Sequence, residues 1–466
     1  MKTIIKRELL ANVQSMQFLV LLIITILLFA VSSWVYVDRH LPLEKAYNQA
    51  VAQISQNAST QYATCFRSPS PLGFIADGGL KNEPFNIMLN PKNSIIESHV
   101  NETNFKMPDI PEPDWAFIIK VVFSLYVILL AFNAISGEKE SGTLRLINSN
   151  SIGRIQILVS KYLSTVITIS IPLLAGMLIS LLFFSIFHPP LITLSNLGYM
   201  LLTFILSLVF LSIFIFMSLF ISALIHRSSL VLLILLTLWI AFAFIIPDIS
   251  GILSEKIAGL PSEHQSAQEM GPMIQNEVWE RITGIKERMD NGEFGTSEEI
   301  LAETDAAFEE GQEKVRAFFN NFKMTAAARL NMARNISRIS PAALFQYASE
   351  SLADTGPNRQ ARFLEDIDKY SPIYDHWVRE KMGKVVGSST YSFSTGWTFK
   401  GEYLNISSPR PEEYEGDKSD MPLFRESKAS LGLNMRNALL DIAGLLLWVL
   451  LMAIAAFGAF LRMDVR

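Results

Sequence analysis

The chain has 466 residues, half of them apolar, with 18% charged, a net charge of −5 and a single cysteine. Charge this sparse excludes an ordinary soluble enzyme, and an apolar fraction this high excludes disorder. The acidic balance gives no case for nucleic acid, and one cysteine excludes a disulfide framework or a cysteine-based zinc site.

The apolar residues lie in blocks. A bilayer core of about 30 Å needs roughly 20 mostly apolar residues. Six blocks qualify: 17–37, 115–135, 163–187, 197–225, 229–247 and 438–461. The N-terminal stretch 1–16 places Ile5, Leu9, Val13 and Met16 on one stripe, with Lys2, Lys6, Arg7 and Glu8 mostly off it. It reads as an amphipathic helix lying in the interface. The first block is too long for a signal peptide and lacks a small-residue cleavage site, so it is read as a retained span.

Orientation follows from the short loops. Segments 1–16, 136–162, 226–228 and 462–466 hold ten Lys and Arg, whereas 188–196 holds none. Both termini are therefore expected in the cytoplasm. The predicted organisation is an interfacial helix (1–16), span 1 (17–37), an extracytoplasmic loop (38–114) and span 2 (115–135). A cytoplasmic loop (136–162), spans 3 to 5 (163–250), a large extracytoplasmic domain (251–437), span 6 (438–461) and a cytoplasmic tail (462–466) follow. The fold class is an all-α polytopic membrane protein, N-in and C-in, with a mainly helical outer domain and a small β element.

Outside the spans, 38–114 is rich in Asn, Pro, Ser and Gly from about residue 66 onward and reads as mostly loop, with one helix near 43–56. Its Cys65 is a free thiol or an inter-chain partner. Segment 251–437 has 29 Asp and Glu against 22 Lys and Arg. Val278, Ile282, Ile285 and Met289, then Phe308, Val315, Phe319 and Phe322, predict two long helices split near Asn291-Gly292 and Gly295. Ser340-Pro341 starts a further helix and Thr355-Gly356-Pro357 stops it. Tyr391, Phe393, Thr395, Trp397 and Phe399 alternate with polar residues and predict a strand, with loop over 407–422. Lys120 and Asp441 sit near the outer ends of spans, where their side chains can reach the interface. Pro172 is a candidate kink in span 3.

Chemistry is sparse. There is no phosphate-binding G-x-x-x-x-G-K-[ST] and no G-x-S-x-G elbow. The histidines (His40, His99, His188, His226, His264, His376) are scattered, none paired with another at helical ligand spacing, so no metal site is expected. Acidic residues 298–313 read as a solvated face. The informative stretch is the cytoplasmic loop after span 2, a charged knot with two glutamates followed by segments that return to the membrane. It reads as a solvated loop or as a docking surface for a soluble partner that moves.

That run, ISGEKESGTLRLINSNSIGRIQILVSKYL, resembles the signature region of ABC-2-type permeases, the membrane subunits of a class of ABC transporters. The likeness extends over nearly the whole chain. ISPAALFQYASESLADTG at 339–356 and the ending FLRMDVR resemble the subgroup with a large insert between the last two spans, although Met463 stands where an aromatic is more usual. The resemblance implies a coupling helix held in a groove of a cytoplasmic ATPase. Glu138, Glu140, Gly142, Thr143, Leu144 and Arg145 would carry the contact, bordered by Arg154 and Lys161. It further implies that the chain is not itself an enzyme and holds no cofactor. ATP and Mg would be bound by separate ATPase subunits. Expected partners are those subunits, a second permease chain, membrane lipid and periplasmic proteins, with no nucleic acid, in a bacterial inner membrane. Two functions stay open. One is an exporter whose spans, poor in polar groups, suit a lipid or peptide. The other is a mechanotransmission subunit acting through its outer domain. A membrane-anchored enzyme is a third reading, which a buried cluster of titratable groups would favour.

Overall fold

The computed structural model describes residues 2–56, 62–78, 86–90, 94–98, 113–143, 153–258, 263–383, 394–407, 414 and 416–463. Six of its helices are long and apolar enough to cross a membrane. A short helix α1 (Lys2–Val13) turns into α2 (Met16–Gln56). At about 1.5 Å per residue, α2 is roughly twice as long as a bilayer core is thick, so its second half projects beyond the apolar block. The next spans are α3 (Trp115–Glu140), α4 (Arg154–Phe187) and α5 (Leu194–Leu224). Helix α6 starts at Ser228 and runs to Ala258 through a π turn, Ala241–Ile245. The last span is α11 (Leu431–Arg462). A second π turn, Ile118–Phe123, lies inside α3.

Between α6 and α11 come α7 (Glu263–Asp290), α8 (Ser297–Ser337), α9 (Pro341–Ala353) and α10 (Pro357–Met382), then strands β4 (Ser394–Phe399) and β5 (Glu402–Ser407). Strands β1 (Ala63–Phe66), β2 (Asn86–Asn90) and β3 (Ser94–Ser98) follow α2 and form one antiparallel sheet. Helix starts carry their caps: Thr193 receives Asn196 N–H, Thr296 receives Glu299 N–H and Ser430 receives Leu433 N–H.

The bundle packs as two groups. Helices α1 and α2 lie on α4, and α5 lies at the centre of α3, α9 and α11. Burial from water gives no drive between helices in lipid, so close approach matters. Gly176 allows it: a Cβ there would meet the Phe29 ring at 2.6 Å. The end bearing α1, the 136–143 turn and the end of α11 is called the terminal face, and the opposite end the domain face.

Two apolar clusters lie beyond the domain face. One joins α7 and α8 to the β4–β5 hairpin through Ile282, Phe308, Trp397 and Leu404. The other packs the β1–β3 sheet on α10 through Cys65, Ile87, Phe363 and Tyr374. Helix α10 is fastened to the segment before α11 by a buried pair, Arg359 and Glu426, 2.8 Å apart, and Ser68, after β1, donates twice to the same carboxylate.

The structure corrects several expectations. The helix expected near 43–56 is the end of α2, and among the described residues of 38–114 it is followed by a three-stranded sheet that had not been expected. Cys65 is fully buried, and burial pushes its thiol up to about 12, so it is not placed to bridge chains. The predicted strand forms at Ser394–Phe399, but it is half of a hairpin. Lys400 and Gly401 both adopt positive φ, as a tight two-residue turn requires. Residues Tyr391 and Phe393 lie outside the described residues. Most importantly, 251–437 is not one separate outer domain. Helix α9 lies within the core of the span bundle, with Phe345 stacked on Phe210 at 4.6 Å. Gly444 of α11 touches it, since a Cβ there would meet Leu344 at 2.9 Å.

Candidate coupling site

The turn 136–140 is wired to the helix ends around it. Backbone N–H groups of Ile135 and Ser136 donate to Ser222 Oγ of α5, at 3.1 and 2.8 Å. Lys139 Nζ donates to the carbonyls of Ser222, Ala223 and Ile225. These are end carbonyls of α5 without helical partners, where a cation is favoured. Glu140 accepts from Ser228 N–H and Ser228 Oγ, both at 2.9 Å, at the first turn of α6. The turn therefore holds both ends of the α5–α6 connection.

Glu138 points the other way. Its Oε1 is 2.7 Å from Lys161 Nζ of α4, and Lys161 is also 3.5 Å from Glu8 of α1. Lys161 is buried, and its partners are these two carboxylates. Glu138 Oε2 is buried without a hydrogen-bond partner. One lysine between two carboxylates, one of them half satisfied, can redistribute its bonds at small cost. Arg154, at the start of α4, donates to the carbonyls of Leu461 and Met463 at the end of α11.

Glu138, Glu140, Arg154 and Lys161 thus come together with α1, α4, α5, α6 and α11. Gly142 takes a positive φ of 72°, and Thr143 Oγ1 is 2.8 Å from Ser141 Oγ, both at the exposed tip. Leu144 and Arg145 lie outside the described residues. The sequence had grouped Glu138 and Glu140 as contacts for a partner. In the structure both are engaged within the chain, and the tip at 140–143 is the exposed part. Lys139, inside the signature run but not singled out there, completes the network with Ser222 and Ser228, which no motif marks in the sequence.

A second polar group lies at the domain face around α9. Ser340 caps α9 and donates to the carbonyl of Phe242, inside the π turn of α6. Lys120, inside the π turn of α3, donates to Gln346 Oε1 at 3.1 Å. Gln346 donates to Glu350, 3.4 Å from Arg334, whose guanidinium lies 3.9 Å over Tyr347. Asp441 of α11 is 1% exposed and 2.6 Å from Arg338 Nε. Lys120 and Asp441 were expected to reach out to the interface. Instead, α9 and the turn before it bring polar partners to them. Burial pushes the Glu350 carboxyl up to about 7, against the charge of Arg334. Asp114, the N-cap of α3, is likewise pushed to about 7 by burial, against hydrogen bonds from Asp77 and Phe117 N–H.

This buried cluster is the feature named as favouring an enzyme. Its described members pair acid with base or cap helices, so they account for one another as structure rather than as a nucleophile and its base.

A family model described as ABC-2 family transporter protein matches residues 2–465. No curated protein matches the chain. The chain belongs to the ABC-2 transporter family and is a multi-pass membrane permease subunit.

Proposed function

We propose that the chain couples ATP hydrolysis on a separate cytoplasmic ATPase to export of an apolar or amphipathic substrate, a lipid or a peptide. ATP and Mg belong to that ATPase, and two permease chains make one transporter in a bacterial inner membrane, with the terminal face in the cytoplasm. The observation that carries this reading is the turn 136–140. It exposes its tip and holds the ends of α5 and α6, while Glu138 shares Lys161 with Glu8. A push on the tip shifts the α5–α6 connection and lets Lys161 trade carboxylates. Each ATPase state then needs to prefer one arrangement by only a few kcal/mol.

The class of substrate rests on the span interiors. Ser33, Thr168, Thr203, Ser207 and Ser212 each donate to the carbonyl four residues earlier. Hydroxyls used this way do not line a polar path. A second reading, force transmission to periplasmic proteins without cargo, is favoured by α9, which ties the domain to α3, α5, α6 and α11.

The test is purification of the tagged chain from its native membrane in mild detergent, beside the double variant Glu138→Lys, Arg145→Glu. An ATPase captured by the wild type and lost from the folded variant supports the reading. A folded wild type that captures no ATPase overturns it.

A further inference from the structure

We infer that His40, Glu44 and His188 form a binding site for a divalent transition-metal cation, with zinc the best fit. The site lies at the domain face, away from the coupling turn, and is independent of the proposed function. His40 and Glu44 are one helical turn apart on the projecting half of α2, so they share a face. His188 ends α4 and joins them across the α2–α4 contact. One ligand atom from each lies within 4.8 Å of the others. A tetrahedral zinc with bonds of about 2.0–2.1 Å separates its ligands by roughly 3.4 Å. His188 Nε2 is already 2.8 Å from Glu44 Oε2, and the Glu44 side chain is 39% exposed and free to adjust.

The hydrogen bonds prepare the ring nitrogens. The Tyr36 hydroxyl has one hydrogen and donates it to the Ser70 carbonyl at 2.7 Å. Its 3.1 Å contact with His40 Nδ1 is therefore one in which it accepts, so Nδ1 carries the ring proton and Nε2 a free lone pair. An outer hydrogen bond of this kind fixes the tautomer of metal-ligating histidines. His188 is 4% exposed and turns Nε2 toward Glu44. A metal bound through that nitrogen leaves the ring proton on Nδ1. Two neutral imidazoles and one carboxylate match the donor set of three-ligand zinc sites, and Glu44's exposure leaves the fourth position open to water or another ligand. The bare reading, a His–Glu pair that only fastens α2 to α4, leaves unexplained why His40, with Nε2 unprotonated, joins that pair.

The experiment uses the full chain in detergent micelles, freed of metal with a chelator and titrated with zinc chloride. Bound metal is counted by mass spectrometry and thermal unfolding is followed in parallel. The expected result is one zinc per chain and a zinc-dependent rise in Tm. Tyr36→Phe should weaken binding by roughly 10–100-fold, and Glu44→Gln and His188→Ala by more. His376→Ala should leave it unchanged. Glu44→Gln keeps the side-chain shape and a hydrogen-bonding group, so it stays informative if His188→Ala does not fold. A folded wild type that binds no stoichiometric zinc, or zinc binding that survives Glu44→Gln, overturns the inference.

Discussion

At the terminal face, Lys161 is shared between Glu138 and Glu8 at 2.7 and 3.5 Å, and Glu138 keeps an unsatisfied oxygen. At the domain face, Asp441 is held by two nitrogens of Arg338 and is almost fully enclosed. Both are carboxylate–base contacts between distant parts of the chain. The first has a second partner within reach, so exchanging one for the other is inexpensive. In the second, the further bond of Arg338 goes to the neutral side-chain amide of Asn335 and not to another carboxylate, so separating the pair leaves the enclosed Asp441 charge without a base. The comparison assigns movement to the terminal face. It assigns rigidity to the assembly of α9 with α3, α5 and α11.

The sharpest way to break this contrast is at the domain face. Arg338→Met leaves Asp441 buried and uncompensated, and should destabilise the protein by about 3–5 kcal/mol. Adding Asp441→Leu to Arg338→Met should recover most of that loss. Denaturant unfolding in micelles measures both. If the single variant were as stable as the wild type, Asp441 would not be locked.

A smaller effect is expected from pH. The unfolded Glu350 carboxyl loses its proton near 4.5, whereas the folded one keeps it to about 7. In that window the folded state binds more protons, so stability falls as pH rises, and the loss is complete above about 7. Glu350→Gln should flatten this fall, leaving the similar contribution of Asp114. Glu426 has the opposite sign. Burial raises its pKa, but Arg359 and Ser68 outweigh burial and hold the carboxyl below its ordinary range. Its contribution is present at neutral pH and lost as pH falls through the acid range. Unfolding midpoints of wild type, Glu350→Gln and Glu426→Gln across pH 3–8 separate the two.

The smallest effect belongs to the exposed helix pair Lys369 and Glu365, 2.7 Å apart. Side chains this open to water are screened, and Lys369→Ala should leave the unfolding midpoint within experimental error. A marked loss there would blur the distinction between buried and exposed pairs on which the contrast rests.

What the sequence could show divides along the same physical line. The spans were legible because length and hydropathy are local properties. The start of α9 was legible because Ser340 caps it with its own hydroxyl, and the break before α8 because Asn291-Gly292 and Gly295 interrupt the helical spacing. Helix α9 carried no sign of its burial, since 13 residues are too few to read as a span. Lys120, which bonds its Gln346, and Asp441, which bonds Arg338 in the turn before it, lie far off in the chain. The strands β1 to β3 are short and set among Asn and Pro, and β5 begins with exposed polar residues. The loop after α3 was visible as a motif, yet which of its residues face inward depends on Lys161, Ser222 and Ser228 from other helices. His40 and His188 are 148 positions apart in the chain, so only folding brings them to one point.

The most direct test of the contrast between faces is a pair of spin-label distances in the assembled transporter. One pair, Thr143→Cys and Arg462→Cys, spans the terminal face. The other, Ile339→Cys and Leu440→Cys, spans the domain face. All four side chains are exposed. With the ATPase present, the account predicts that trapping the nucleotide-bound state shifts the first distance distribution and leaves the second in place. A fixed terminal pair beside a moving domain pair would contradict it.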